Sequence, residues 1–121
     1  MCCLALADKP TWNQQSENEV FNVSLQPEQQ RYQIGQYHNW IITIKDSADR
    51  SIDNAAINIA GGMIGHGHGL PSQPIVTKHL KNGNYLIEGL LFNMSGEWTL
   101  DFYIQTPTLS DRVRFNVNFT F

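Results

Sequence analysis

The sequence predicts an all-β protein, an immunoglobulin-like antiparallel β-sandwich of about seven strands. Three observations predict it. Apolar residues recur at every second position from about residue 18 onward. Turn-forming pairs such as Asn82-Gly83 punctuate those runs. No stretch carries the period of an amphipathic helix convincingly. Seven short strands in ~100 residues is the size of such a sandwich, and a small Greek-key barrel is the alternative. The 121 residues suffice for one domain with its own core and are too few for two.

The strands are read in chain order. Phe21, Val23 and Leu25 alternate with Asn22 and Ser24. Trp40, Ile42 and Ile44 alternate with Thr43 and Lys45, with Ile41 as the one apolar residue on the polar side. A polar loop over Asp46 to Asp53 then leads to Ile57 and Ile59. Ile75–Leu80 and Tyr85–Leu90 flank Asn82-Gly83, a pair that suits a type I′ turn because both central residues need positive φ. Ser95-Gly96 precedes Trp98, Leu100, Phe102 and Ile104. Pro107 to Asp111 breaks that run from Val113, Phe115, Val117, Phe119 and Phe121. One face of each run is expected in the core and the other in water. Glu88, Glu97 and Asp101 fall on the water-facing side by this alternation. Residues 11–18 are too polar to assign.

Composition excludes several function classes. The net charge is −3 and the pI about 5.7, which leaves no basic surface to displace phosphate counterions, so no nucleic-acid partner is expected. No apolar run reaches the ~18 residues of a membrane-spanning helix. The two cysteines, Cys2 and Cys3, are adjacent and poorly placed to bridge each other. They lie in an apolar start, with Ala5-Leu6-Ala7 before polar Asp8-Lys9-Pro10. Small residues two apart fit a signal-peptidase site, so residues 1–7 read as the remnant of a signal peptide and 8–121 as the single mature domain. An unstructured tag or a lipid-anchored cysteine are the other readings. No G-x-S-x-G, H-E-x-x-H or G-x-x-x-x-G-K-[ST] motif occurs, and no catalytic residue is assigned.

One stretch is unlike the rest. Residues 61–74 read GGMIGHGHGLPSQP, with five glycines and two prolines, and are expected to form a loop. Glycine on both sides of each histidine leaves His66 and His68 free to turn toward a common point. Imidazole is a common ligand for Cu(II) and Zn(II), and a methionine thioether selects Cu(I). Met63 lies in the loop, and Met94 precedes Ser95-Gly96 in a segment that would return to it. The expected metal set is therefore His66, His68, Met63 and Met94, with copper as the ion. His38, on a face shared with Trp40 and Ile42, is either a further ligand or a part-buried histidine with one hydrogen bond. The alternative for the whole stretch is a structural loop, its histidines bonded to backbone and both methionines packed in the core.

The same stretch resembles the loop of the YtkA-like family, which is related to FixH-like domains. The family pattern is G-G-M-P-x-H-x-H-G-[LM]-P-[ST]-x-P, and Ile64 stands here where proline is frequent. Gly83-Asn84-Tyr85-Leu86-Ile87-Glu88-Gly89-Leu90 resembles G-x-Y-x-[IV]-x-G-L, and Phe92 to Trp98 resembles F-x-M-x-G-x-W. His38-Asn39-Trp40 is similar to an H-x-W element, so the resemblance spans about residues 37–104. It implies a secreted or periplasmic β-sandwich of the bacterial envelope, suspected of handling copper or assisting other envelope proteins. His66, His68, Met63 and Met94 carry over by position, as does His38, whereas Asn93 replaces a histidine common in relatives. The expected function is a non-catalytic envelope domain that binds copper for sequestration or hand-off. A docking module for another envelope protein is the alternative.

Overall fold

Alternation in the sequence becomes alternation in burial. The structure, a computed structural model, describes residues 10–29 and 33–119, so the expected signal remnant at 1–7 and the terminal Phe121 lie outside the described residues. Nine strands are present among them: β1 (Trp12–Gln15), β2 (Phe21–Pro27), β3 (Tyr37–Asp46), β4 (Ala56–Met63), β5 (His68–Gly69), β6 (Ile75–His79), β7 (Asn84–Leu91), β8 (Gly96–Gln105) and β9 (Ser110–Phe119). They form two antiparallel sheets, ordered β1-β2-β3-β7-β6 and β5-β4-β8-β9. Setting aside β1 and the two-residue β5, seven strands remain, four in one sheet and three in the other. Lettered A to G in chain order they lie as ABED and CFG, the immunoglobulin constant-type arrangement.

Phe21, Val23 and Leu25 of β2, and Trp40, Ile42 and Ile44 of β3, face the second sheet and are buried. Trp98, Leu100, Phe102 and Ile104 of β8 meet them, with Val113, Phe115, Val117 and Phe119 of β9. An aromatic cluster fills one end of the core. Trp40, Phe92 and Phe119 pack edge-on or tilted with centroids 4.1–6.2 Å apart, and Phe92 meets Trp98 at 5.2 Å. The expected turn between β6 and β7 is type I′ in its central residues, with φ of 63° at Asn82 and 75° at Gly83.

Three local features go beyond or against the sequence reading. Residues 12–15 form a strand: Trp12 stacks on Trp40 with centroids 5.4 Å apart, and a short edge strand needs no second apolar residue. Asp101 does lie on the outer face, yet it is buried, because the guanidinium of Arg114 covers it with two hydrogen bonds of 2.6 and 3.0 Å. The glycine-rich stretch is not all loop, since Gly61–Met63 continue β4 and His68–Gly69 return as β5.

At the end away from this stretch, the β1–β2 turn is clasped to β9. Asp111 accepts hydrogen bonds from the backbone and side-chain nitrogens of Asn18, both 2.9 Å, and Arg112 pairs with Glu17 at 2.6 Å. Burial pushes the Asp111 carboxyl up, but hydrogen bonds from Ser16, Arg112 and Asn18 outweigh it and hold the group at about 2. A carboxyl near 3.9 in the unfolded chain binds protons more readily than this one. Its contribution is therefore full above pH ~4–5 and is lost as pH falls toward 2. Asp111→Ala should destabilise the protein by about 1 kcal/mol at pH 7, the usual worth of a charged hydrogen-bond set reduced for solvent exposure. The gap between thermal melts of the two proteins should shrink as pH falls from about 5 toward 2; a gap that stays constant over that range would refute the assignment.

Candidate metal site at one end of the sandwich

The site is built by a tight hairpin. Met63 of β4 is the register partner of His68 of β5, and Gly62 is the partner of Gly69. A 3-10 turn over Ile64–His66 joins them, closed by Gly67 at φ 67°. Two glycines let this hairpin lie against its neighbours. A β-carbon on Gly61 would sit 2.1 Å from the Thr99 carbonyl oxygen, and one on Gly62 would sit 2.3 Å from that of His68. Both have φ near 153°, which side chains rarely adopt. Residues 70–72 are then tied down, with the Leu70 amide donating to the Gly61 carbonyl at 3.2 Å and the Ser72 hydroxyl to the Gly89 carbonyl.

The structure brings His66 and His68 together. Their ring centroids are 6.0 Å apart and the rings are tilted by 44°. Both side chains are exposed. Two imidazoles bound to one ion through nitrogen at about 2 Å have centroids at most about 6 Å apart. The spacing of the pair is within that reach. His68 Nδ1 lies 3.0 Å from the Gly69 carbonyl, which can only accept. The proton in that bond is on Nδ1, so the lone pair is on Nε2. Ligating histidines are commonly oriented in this way, by donating the other ring nitrogen to a carbonyl.

Trp98 lies against His68. Its indole meets the His68 ring edge-on at 5.8 Å, and its Nε1–H donates to the Met94 carbonyl at 3.1 Å. The β7–β8 connection carrying Met94 is thereby fixed to the ring that supports His68. Met94 is 37% exposed. No family model, curated protein or solved structure matches this chain. The site therefore rests on its own geometry.

Met63 and His38 are buried, unlike the exposed histidine pair. Met63 is 1% exposed, with its terminal methyl packed against Gly96, which is the core-plug alternative for that residue. Its position follows from strand alternation: Ile57, Ile59, Gly61 and Met63 share the inner face of β4. His38 is 2% exposed on β3, where its Nε2 lies 3.0 Å from the Gln33 carbonyl. Burial pushes its pKa down and that hydrogen bond opposes the shift. Phe92 and Trp98 stand between it and His68, at ring spacings of 5.9, 5.2 and 5.8 Å along the chain of contacts. Among the described residues no three of His, Cys, Asp and Glu gather in one place.

Trp98 and Ile64 belong to this end of the molecule although sequence spacing does not mark them as parts of a site. Alternation assigns Trp98 to the core and says nothing of its Nε1–H. The spacing Met94-x-x-x-Trp98 is the available signal. Ile64 is 67% exposed, because the 3-10 turn leaves strand alternation just where an apolar residue comes after Met63.

Proposed function

We propose that this end of the sandwich binds copper as cargo, for sequestration or hand-off in the bacterial envelope, and that the domain is not catalytic. The observation that carries the reading is the exposed His66–His68 pair at 6.0 Å, with the His68 lone pair set on Nε2. Imidazole nitrogen serves both oxidation states of copper. Met94 is the exposed sulfur on the same end and biases the site toward Cu(I). Two histidines on a surface hairpin, with Met94 on a neighbouring connection, leave the ion open to attack by an incoming donor, which suits transfer better than permanent retention. The resemblance of residues 61–74 to the YtkA-like loop supports the same reading and the envelope location.

A competition titration against a chromophoric Cu(I) chelator tests it. The His66→Ala/His68→Ala double variant should bind more than about 100-fold more weakly than the native chain, since both nitrogen ligands are gone. Equal affinity in the two proteins would sink the proposal.

A further inference from the structure

We propose that a second copy of this chain docks on the same end of the sandwich, and that one Cu(II) ion is held between the two copies by His66 and His68 of each. The inference rests on the copper reading. Its first ground is the ligand count. Cu(II) favours a tetragonal set of nitrogen and oxygen donors. One chain offers two exposed imidazoles here, and among the described residues no acidic group joins them. The pair supplies two of the four donors such a set takes, which leaves two positions open.

The second ground is charge. This end is formed by residues 33–36, 64–74 and 92–95, and these contain no Asp, Glu, Lys or Arg. Among the described residues Glu28 is the one charge in a connection here. The connections at the opposite end carry Glu17, Glu19, Asp49, Arg50, Asp53 and Lys81. Two molecules of net charge −3 repel, and among the described residues the connections at this end carry fewer charges than those at the other, with Glu97 exposed at the start of β8.

The third ground is the apolar surface beside the ligands. Ile64 adjoins His66 in the 3-10 turn and is 67% exposed. Tyr37, Ile34 and Met94 are exposed on the same end, with Gly35 bonded to the Phe92 carbonyl at 2.8 Å. A two-fold contact would place each patch on its twin, as an isologous interface requires. The patch is small, so the contact is expected to need the ion.

Light scattering after size exclusion, on the full chain with and without half an equivalent of Cu(II), reads the outcome. The metal-free chain should run at its monomer mass of 13.8 kDa and double on addition of Cu(II). Ile64→Asp keeps both histidines and should weaken dimer formation at least tenfold. A native chain that binds one Cu(II) per monomer would overturn the dimer and leave the copper reading intact. Dimerisation of Ile64→Asp at the native copper concentration would also overturn it, because the ion alone would then be the link. Failure of the native chain to bind Cu(II) or Cu(I) would overturn both.

Discussion

Gly62→Ala is expected to weaken copper binding at least tenfold without touching a ligand, and to destabilise the fold by about 2 kcal/mol or more, in the range of overpacked backbone positions. The added carbon would lie 2.3 Å from the His68 carbonyl oxygen and 2.6 Å from the Gly69 α-carbon. Both are backbone atoms, so no rotamer change relieves the clash. The residue also has a φ of 153°, where a side chain is strained regardless of space. Relief therefore requires β5 to leave β4, and His68 loses its register against Met63. Gly65→Ala is the control. Its new carbon would meet nothing within 4 Å, in the same turn, and should leave stability and affinity unchanged. Denaturant unfolding and the Cu(I) competition titration, run on both variants, separate the cases. Native affinity in Gly62→Ala would show that the hairpin does not set the site.

Strand periodicity made the sheets legible because each of β2, β3, β8 and β9 has one buried face. Phe21-Val23-Leu25 and Trp98-Leu100-Phe102-Ile104 are read in the sequence and found at 0–3% exposure. The same logic failed where burial does not come from alternation. Trp12 is held by stacking on one ring of the next strand but one, and polar Asn13, Gln14 and Gln15 hide it in the sequence. Asp101 is covered by a partner 13 residues away that no local pattern reveals. Glycine density announced the unusual segment but not its shape. Gly61 and Gly62 serve the close approach of three strand backbones, so a run that reads as a loop begins as strand. That difference decides which candidate residues reach the surface. Once Gly61–Met63 belong to β4, Met63 inherits the inward face, while His66 escapes it by lying in a 3-10 turn. The i, i+2 spacing of His66 and His68 is thus met across a turn and not along a strand.

Trp98 offers the sharpest separation between support and ligation. Trp98→Ala should cost about 3–5 kcal/mol, the range for a large aromatic removed from a core. The side chain is fully buried and holds Phe92 at 5.2 Å as well as His68 at 5.8 Å. Such a loss leaves little of a typical domain's stability. Trp98→Phe is the more informative change. It keeps most of the apolar contact and removes the Nε1–H that donates to the Met94 carbonyl at 3.1 Å. The lost hydrogen bond should cost about 1 kcal/mol, with a further loss for the smaller ring. Its effect on copper should depend on oxidation state. Under the copper proposal Met94 is the soft ligand, and releasing its connection should weaken Cu(I) binding by about tenfold, or ~1.4 kcal/mol. Cu(II), held by the histidine nitrogens, should lose less than half of that in free energy. Parallel titrations with the two ions read the split. Equal losses for both would mean that Trp98 acts through His68 alone, and no loss for Cu(I) would remove Met94 from the site.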